Sequence, residues 1–498
     1  MLASIVYLFT GNLYITSFVV FLLSAIGIRD KLQKKHSIQR TYPIIGHFRW
    51  MAEDLRPKIQ QYFVENDLNG KPYSHELRSI VYQRAKKAPD VIPFGTEHNL
   101  YDNDTEWLEH SLYPKVAEEI KGERFSIGNR FCKLPYSSSR INSSAMSYGA
   151  LGDHAVRAIN AGAKIAGFAQ NTGEGGLTEY HFANKGDIIW QIGTGYFGAR
   201  TLDGKFDINE FEKKAKNPLV KMIEIKLSQG AKPSHGGILP AEKVTPSIAR
   251  IRGIEPYKAC VSPPAHTAFN DAKSMMLFVN DLRIASGYRP IGIKMCLGNK
   301  EEVKELVRTM AEMDLYPDYF VVDGAEGGTG AAPFEFTNYV GTPLVDGIIF
   351  VSDLLKLYKL DKEIKLIASG KIVSGFDAVK ILALGANGIE IARGMLFSLG
   401  CIQARVCHTG KCPTGITTTN NKYQKSLVVG DKAQRVANFH RNTIESIKEL
   451  VGAMGLDDIS DLKREHIYRR IAINKVESYE QLFPSLNQVK EKFLSVLS

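Results

Sequence analysis

Three cysteines lie within twelve residues of one another in the carboxyl-terminal quarter of the chain. Cys401, Cys407 and Cys412 have the spacing C-x5-C-x4-C in the segment CIQARVCHTGKCPTG. Thiolates bind soft metals and iron–sulfur clusters, and three of them in one loop can hold a cluster from one side. A zinc site is equally consistent with the spacing if His408 supplies a fourth ligand. A disulfide with one spare cysteine is disfavoured in a cytoplasmic protein, so the spacing predicts a metal or cluster site.

Five glycine-rich or polar loops follow short apolar runs that we interpret as strands. Glycine lets backbone N–H groups approach a phosphate closely, and loops at the carboxyl ends of barrel strands often bind one. One such loop could reflect turn chemistry alone, but five in matching positions favour a phosphate-bearing cofactor. The five segments are NTGEGG (171–176), QGAKPSHGG (229–237), DGAEGGTGAAP (323–333), SGK (369–371) and ARG (392–394).

Short apolar, β-branched runs alternate with helical stretches from about residue 140 onward. This alternation is typical of βα units, and eight such strands close naturally into an α/β fold of the (β/α)8 TIM-barrel type. A ninth apolar run, ACVSPP (259–264), is assigned to an inserted loop. The eight predicted strands are INSSAMS (141–147), AKIAGFA (163–169), IIWQI (188–192), MIEIKLS (222–228), IGIKMC (291–296), YFVVDG (319–324), KLIASG (365–370) and GIEIAR (388–393).

The first 28 residues contain no charged side chain, and the basic segment RDKLQKKHSIQR (29–40) follows them. About 20 apolar residues suffice to cross a bilayer, and basic residues after the span predict that the remaining chain stays in the cytoplasm. A secretory signal peptide would carry its basic residues before the apolar stretch. A buried core helix is the alternative, but we expect a single-pass transmembrane helix in the cell (inner) membrane.

The bulk composition excludes several other classes of protein. The chain has 498 residues, six cysteines and a net charge of +10. This length accommodates one barrel of about 250 residues with additional layers. Because the positive charge is dilute and part of it follows the apolar segment, we expect no nucleic-acid binding. Cys132, Cys260 and Cys296 are scattered and are predicted to be small buried hydrophobes.

These patterns divide the chain into four parts. We expect a transmembrane anchor, a polar cytoplasmic collar with helical stretches such as DLRPKIQQYFVEN (54–66), the barrel with its cysteine loop (401–415), and a helical tail. The predicted bounds are 1–28, 29–135, 136–450 and 451–498, respectively.

The motifs of residues 140–450, taken in order, resemble the FMN-binding domain of glutamate synthase and its shorter relatives. The resemblance implies FMN at the mouth of the barrel and a [3Fe–4S] cluster on Cys401, Cys407 and Cys412. It therefore favours iron–sulfur over zinc. The motifs that carry it, besides the cysteine loop, are MSYGALG (146–152), NTGEGG (171–176), KLSQGAKPSHGG (226–237), EKVTPSIARIRG (242–253), SPPAH (262–266) and EGGTGAAP (326–333).

The resemblance also implies which residues contact the cofactor. Lys294 matches a lysine near the pyrimidine end of the flavin, where an ammonium group stabilises the anionic reduced ring. The other implied contacts lie along the flavin from the first and third strands, or donate backbone N–H groups to the cofactor and its phosphate. They are Met146, Ser147, Gly149, Gln191 and Thr194 for the ring, and Gly327, Gly328, Gly370 and Gly394 for the backbone donors.

In the family, 2-oxoglutarate lies over the flavin between basic residues. The matching positions are Lys226, Lys232 and Arg252, and Glu174 matches a carboxylate beside the substrate. Arginine can bind a carboxylate through two parallel hydrogen bonds. Reduction of an imine needs a nearby proton source, which Glu174 or a lysine can supply. We therefore predict these four residues to be catalytic.

Three positions depart from the family pattern near the substrate. Ile238 stands where the motif GGQLP has glutamine, His235 stands where glutamate is usual, and Tyr196 replaces a basic residue. Isoleucine cannot make the hydrogen bonds of glutamine, so a different small substrate is the alternative to 2-oxoglutarate.

Three hypotheses follow. The first is an oxidoreductase of the glutamate synthase type, acting on CH–NH2 donors and forming an amino acid from a 2-oxo acid. The second is a membrane-linked flavoprotein dehydrogenase for another small substrate, and the third is a non-catalytic electron-transfer subunit. The sequence contains no GxGxxG fingerprint in a Rossmann setting and no glutaminase domain before the core. We therefore expect free ammonia, or an amine from another subunit, and electrons from a donor protein or the quinone pool.

Overall fold

The computed structural model describes residues 6, 7, 9 and 11–485 of the chain. The chain divides into two compact units, Met1–Leu77 and Arg78–Ser498. The boundary between these units falls within the predicted collar of residues 29–135. The part of the predicted anchor at residues 1–5, 8 and 10 lies outside the described residues.

The smaller unit is helical. Its first helix, α1 (Leu13–Leu32), begins at Asn12, whose side chain accepts hydrogen bonds from the backbone N–H groups of Tyr14 and Ile15. This helix is long and apolar enough to cross a membrane, although a signal sequence or a core helix can meet the same criteria. Only 6% of its most apolar stretch is buried, which argues against a core helix. The unit continues with α2 (Ser37–Thr41) and α3 (His47–Ile59), and a π-helical turn at Gln60–Val64 extends α3.

The strands of the larger unit form a closed barrel and three small sheets. The barrel is parallel, and its strands follow one another around the ring in chain order. This confirms the predicted (β/α)8 architecture. In chain order the strands are β1 (Glu106–Leu108), β2 (Arg124–Ile127), β3 (Tyr136–Ser139), β4 (Ile141–Ser143), β5 (Ala169–Asn171), β6 (Asp187–Ile192), β7 (Val220–Lys226), β8 (Ile238–Leu239), β9 (Cys260–Val261), β10 (Ile291–Met295), β11 (Tyr319–Asp323), β12 (Lys365–Ser369), β13 (Gly388–Ile391), β14 (Ile467–Ala472) and β15 (Lys475–Ser478), of which β4–β7 and β10–β13 make the barrel.

Seven of the eight predicted barrel strands overlap the observed ones closely, and the second is displaced. Residues 163–166 complete a helix instead, and Gly167 ends that helix in the left-handed region with a φ of +75°. The strand β5 begins only at Ala169. The ninth apolar run lies outside the barrel, as predicted, where β9 pairs with β8.

An antiparallel hairpin of β2 and β3 closes the amino-terminal end of the barrel. Ile127 and Tyr136 pack into one cluster with inward side chains of the barrel strands, including Ile189 and Met222. The Tyr136 hydroxyl donates to Asp187, the first residue of β6, at 2.9 Å. The opposite, carboxyl-terminal end is therefore the end that remains available for a site.

The helices of the larger unit surround the barrel. The longest, at Val429–Ala453, packs on Asp153–Ala166, where a side chain at Gly162 would collide with Val436. In chain order they are α4 (His75–Lys86), whose first three residues belong to the smaller unit, α5 (Asp153–Ala166), α6 (Glu179–Phe182), α7 (Ile208–Ala215), α8 (Pro246–Arg252), α9 (Ala272–Ala285), α10 (Lys300–Met313), α11 (Phe334–Tyr339), α12 (Leu344–Leu357), α13 (Gly375–Ala383), α14 (Arg393–Ser398), α15 (Asn421–Gln424), α16 (Val429–Ala453) and α17 (Tyr479–Leu482).

The segment after α16 differs from the predicted helical tail. Between 451 and 485 the chain forms two short 3-10 turns, the hairpin β14–β15 and the single-turn helix α17. Strand β1 pairs with β14, so the tail completes a three-stranded sheet. The alternation in IYRRIA and KVES is short, which is why the sequence pattern did not distinguish it from a helix. Residues 486–498 lie outside the described residues.

Candidate active site

The four predicted catalytic residues gather at the carboxyl end of the barrel. Lys226 is the last residue of β7, and Glu174 lies in the loop after β5. Their side chains form an ion pair of 2.9 Å, and both are largely buried. Burial alone would raise the pKa of Glu174, but the positive charges of Lys226, Arg252 and Lys232 outweigh it and lower that pKa. Glu174 is therefore an ionised carboxylate in a positively charged pocket.

Two glycines make the space that Glu174 occupies. A Cβ built on Gly193 would lie 2.7 Å from the Glu174 Cβ, and one on Gly237 would collide with the Glu174 carboxylate. Gly193 follows β6, and Gly237 directly precedes Ile238 in β8. The carboxylate is thus held between two loops that tolerate no side chain at these points.

Arg252 enters the pocket from the end of α8. Its guanidinium donates to the carbonyl oxygen of Tyr148 at 3.3 Å and lies 3.5 Å from the Ser147 hydroxyl. The same group stands 5.0 Å from the centre of the Phe197 ring, a cation–π contact. Among the described residues, the buried Nε of Arg252 has no hydrogen-bond acceptor. An unsatisfied buried donor on a cation is suited to an anionic ligand.

Lys232 ties two loops of the mouth together. Its Nζ donates to the carbonyl oxygen of Ala331 at 3.0 Å, and the backbone N–H of Gly230 donates to Asp323 at 2.7 Å. A side chain at Gly230 would collide with the Gly324 carbonyl oxygen. Burial lowers the pKa of Lys232 to about 8, against the opposing effect of Glu174. The loops after β7 and β11 therefore pack directly on each other.

A polar layer fills the barrel interior below the mouth. The ammonium of Lys294 lies 2.9 Å from Glu390 and 3.1 Å from the Ser144 hydroxyl. The side-chain amide of Gln191 donates to Glu224 at 2.6 Å. Gln191, which was predicted to contact the flavin, therefore makes this hydrogen bond inside the barrel. The other members include Asn171, whose amide donates to both Glu224 at 2.9 Å and Glu390 at 3.3 Å.

The polar layer has more carboxylates than cations. Burial, and next the nearby Glu390, raise the pKa of Glu224 to about 8. Burial opposes the charge of Lys294, but the surrounding carboxylates, Glu390 first, outweigh it and raise the pKa of Lys294. Glu224, Glu390 and Asn171 were not among the site residues predicted from the sequence. The signal was present in MIEIK and GIEIA, where glutamate occupies an inward position of an otherwise apolar strand.

The remaining predicted cofactor residues line the same end of the barrel. Ser147 and Thr194 are buried, and Met146 is half-buried. Gly149 has a φ of +102°, and its Cβ position lies 3.4 Å from the Arg252 guanidinium. These positions surround the polar layer and the charged pocket from the first and third barrel strands.

The four predicted backbone donors divide into two kinds. A side chain at Gly328 would collide with the guanidinium of Arg393, a cation that was not predicted to be a site residue. Gly327 and Gly370 both lie against Gly324, and Gly370 follows β12. Gly394, in contrast, is required by packing, because its Cβ would lie 2.7 Å from Ile391 and 3.1 Å from Phe439.

The three clustered cysteines lie in an irregular loop after α14. Their thiols are free, and each of Cys407 and Cys412 acts electrostatically on Cys401. Burial raises the pKa of Cys401 to about 11, whereas a hydrogen bond from Thr414 lowers that of Cys412 against the effect of burial. The thiols are therefore neighbours in differing surroundings.

Lys243, which lies just before α8, contacts the cysteine loop. Its buried ammonium donates to the carbonyl oxygens of Ala150 at 2.8 Å and Cys407 at 3.3 Å. His408 is exposed. Within the part of the chain that the structure describes, no three His, Cys, Asp or Glu side chains converge so as to bind one metal ion. A cluster differs in this respect, because each thiolate binds a different iron.

The positions that depart from the family pattern lie beside the pocket. Tyr196 is fully buried, and its hydroxyl lies 3.1 Å from His266 and accepts from the backbone N–H groups of Thr267 and Ala268. Ile238 pairs with Val261 in the sheet β8–β9, one residue from Gly237 and therefore close to Glu174. The Nδ1 of His235 lies 3.0 Å from the carbonyl oxygen of Gly236.

Comparisons with known proteins agree with this architecture. The family model described as the conserved region in glutamate synthase matches residues 105–457. The glutamate synthase large subunit-like protein YerD of Bacillus subtilis is 36% identical over 491 residues, covering 91% of this chain and 93% of its own. The archaeal glutamate synthase [NADPH] of Methanocaldococcus jannaschii is 33% identical, covering 73% of this chain and 69% of its own.

This chain also matches part of a much longer relative. The glutamate synthase [NADPH] large chain of Bacillus subtilis is 30% identical over 388 residues, which make up 77% of this chain but only 23% of that protein. The matched family region contains every barrel strand, the charged pocket and the cysteine loop. The chain belongs to the glutamate synthase family.

Proposed function

We propose that this chain is an oxidoreductase of the glutamate synthase type that forms an amino acid from a 2-oxo acid and ammonia. The observation that carries the proposal is the buried pocket of Glu174, Lys226, Lys232 and Arg252 at the carboxyl end of a (β/α)8 barrel. Three cations around one carboxylate leave an excess of positive charge, which suits an anionic substrate. A purely structural role does not require such an excess in a buried position.

Two residues of the pocket bind the substrate, and two others transfer a proton. Arg252, with its unsatisfied Nε, and Lys232 bind the carboxylates of a 2-oxo diacid. Lys226 and Glu174, 2.9 Å apart, lie where one can deliver a proton while the other balances the charge. The lowered pKa of Lys232, about 8, makes this group a second donor near neutral pH.

The barrel mouth fits FMN as the redox cofactor, which would supply hydride to the imine carbon. Lys294 and Gln191 lie below the mouth, and Ser147 and Thr194 lie at its edge. The space that a side chain at Gly328 would fill lies against the Arg393 guanidinium, an arrangement that suits a phosphate group. These residues would hold the ring and the phosphate, respectively.

The cysteine loop fits a [3Fe–4S] cluster, which would pass single electrons. Cys401, Cys407 and Cys412 are free thiols, and Cys407 and Cys412 are close enough to raise the pKa of Cys401. The nearby ammonium of Lys243 offsets part of the negative charge that three thiolates carry. Electrons would come from an electron-donor protein or from the quinone pool, and α1 would hold the enzyme in the membrane with its barrel in the cytoplasm.

A second candidate function rests on Ile238. This residue stands beside Gly237 and Glu174, and its side chain offers no hydrogen bond to a substrate. A membrane-linked dehydrogenase for a less polar substrate would use the same cofactors and the same proton-transfer pair.

One anaerobic experiment separates these functions. The full chain is purified in detergent, its flavin is reduced photochemically, and 2-oxoglutarate is added with ammonia while flavin absorbance is followed. We expect prompt reoxidation with formation of glutamate, and strong slowing in Glu174→Gln but not in the exposed-carboxylate control Glu312→Gln. A flavin that stays reduced with 2-oxoglutarate would contradict the first function and leave the second.

The cluster has its own test. We expect Cys407→Ser to lose iron while flavin content and barrel folding are retained, with Cys132→Ser as the control that keeps iron. Unchanged iron in Cys407→Ser would contradict the cluster.

A further inference from the structure

The helix α3 and its π-helical extension carry an apolar stripe that no other described residue covers. None of the side chains from His47 to Val64 is buried. Phe48, Met51, Leu55, Ile59 and Tyr62 follow the spacing 3, 4, 4, 3, which places them on one side of a helix. Phe48 is 65% exposed and Tyr62 is 60% exposed. A stripe of this length on an exposed helix marks an interaction surface.

Charges are distributed around this stripe in a defined way. At 100° per residue, Lys58 lies at one border of the stripe, and Arg56, with Arg49 beyond it, lies on the other side. Asp54 lies farther round the helix than Lys58, and Glu53 lies opposite the stripe. The charged residue nearest the stripe on each side is therefore basic, which is typical of helices that lie in a membrane interface, because long basic side chains can reach outward to the headgroups.

The junction with α1 places this helix at the end of the apolar span. Asp30, in the last turn of α1, is almost fully buried. It accepts a hydrogen bond from the backbone N–H of Ile44 at 2.9 Å and lies 2.8 Å from the Nε2 of His47. The first residue of α3 is therefore tied to the last turn of α1, within one compact unit.

The whole segment is basic. Residues 29–64 contain eight Lys and Arg against three Asp and Glu, and basic residues near an anionic membrane surface are attracted to it. A second copy packed stripe to stripe would bring the basic borders of both helices together. The charge pattern thus favours lipid over self-association as the occupant.

We propose that His47–Val64 lies along the lipid–water interface, with the apolar stripe toward the acyl chains and the basic borders at anionic headgroups. The helix then serves as a second membrane contact beside α1 and fixes the direction in which the chain leaves the bilayer. This inference concerns the smaller unit alone and is independent of the chemistry of the barrel.

Tryptophan quenching tests the orientation of the helix. The full chain is reconstituted in vesicles of phosphatidylglycerol and phosphatidylcholine with brominated acyl chains. The Phe48→Trp variant places a probe in the stripe, and Gln60→Trp places one on the polar side of the same helix. Relative to the unsubstituted chain, we expect the added fluorescence to be quenched severalfold more in F48W than in Q60W. Equal quenching of the two probes would overturn the proposal.

Hydrogen exchange provides a second test that does not depend on a probe. In the same vesicles we expect the amides of residues 47–64 to be protected, and the protection to be lost in the double variant Leu55→Glu with Ile59→Glu. Barrel peptides and flavin content should not change. Protection that persists in this variant, or a stripe that cross-links to a second copy and excludes the lipid quencher, would refute the interfacial arrangement. Quenching that persists in a protein inactive toward 2-oxoglutarate would still support it.

Discussion

Two carboxylates share one lysine inside the barrel, and this balance has consequences for single residues. Glu224 and Glu390 are both fully buried, and Lys294 pairs directly with Glu390. Asn171 bridges the two carboxylates. Burial and Glu390 raise the pKa of Glu224 to about 8. Near neutral pH the folded protein therefore holds a proton on Glu224 that the unfolded chain does not.

This proton makes stability depend on pH with a definite sign. Between the ordinary pKa of about 4.5 and the folded value of about 8, the folded state binds more protons than the unfolded state. Stability therefore falls as pH rises through that window. We expect Glu224→Gln, which mimics the protonated group, to be more stable than the unsubstituted protein at pH 8, on the order of 1–3 kcal/mol. Thermal unfolding at pH 6 and pH 8 measures this, and Glu312→Gln, an exposed carboxylate, should keep the original pH dependence.

The position of Glu174 depends on the absence of a side chain at Gly237. A Cβ at this residue would collide with the carboxylate, so we expect Gly237→Ala to displace Glu174 from Lys226. Turnover should then fall by at least about tenfold, the equivalent of 1.4 kcal/mol in the barrier, with little change in flavin content. Gly298→Ala is the matched control because nothing lies within 4 Å of its added Cβ. Equal turnover of the two variants would show that Glu174 has room to adapt.

At the scale of elements, the hairpin β2–β3 determines which end of the barrel carries chemistry. It fills the amino-terminal end with Ile127 and Tyr136, and the Tyr136 hydroxyl joins it to the start of β6. The polar layer lies on the other side of this apolar cluster. The hairpin thus excludes water from the amino-terminal side of the buried polar layer.

Truncation of a buried side chain in the hairpin β2–β3 should lower the free energy of unfolding. Ile127 is 0% exposed, and removal of a buried isoleucine side chain to alanine typically costs 2–5 kcal/mol. We expect chemical denaturation to show a loss of unfolding free energy within that range for Ile127→Ala. For Ile473→Ala, at a 79% exposed site, we expect a loss near zero. A cost for Ile127→Ala below about 1 kcal/mol would mean that the hairpin and the barrel can repack around the gap.

Elements with long periodic signals were predictable from the sequence, whereas elements set by tertiary contacts were not. Runs such as IIWQI and YFVVDG are buried on both faces, so their apolar continuity identified them as parallel strands. AKIAGFA is equally apolar, but only the left-handed Gly167 separates its helix from β5. The pocket residues were predicted through the resemblance to the glutamate synthase family, because they match positions in its motifs. Glu224, Glu390, Lys243 and Arg393 were not predicted, because their importance arises from partners distant in sequence.

At the scale of the whole molecule, the two units pose different folding problems. The larger unit has a closed core, whereas α1 exposes most of its apolar surface. A charged residue in the centre of a bilayer-spanning helix costs about 2.5–3.5 kcal/mol on insertion scales. We expect the full chain to resist alkaline carbonate extraction from membranes and to be released by detergent. Leu22→Arg should weaken membrane retention, whereas the apolar substitution Leu22→Ile should not, and equal retention of the two variants would contradict a spanning α1.

The contact between the loops after β7 and β11 links two binding events. Lys232 and Gly230 belong to the loop that would contact the substrate, and they bond to Ala331 and Asp323 in the loop predicted to hold the cofactor phosphate. Free energy released by ordering one loop is then shared with the other. By thermodynamic reciprocity, a cofactor that tightens the affinity for the 2-oxo acid must have its own affinity tightened by the same factor. An enzyme built in this way retains its cofactor most strongly while substrate is bound.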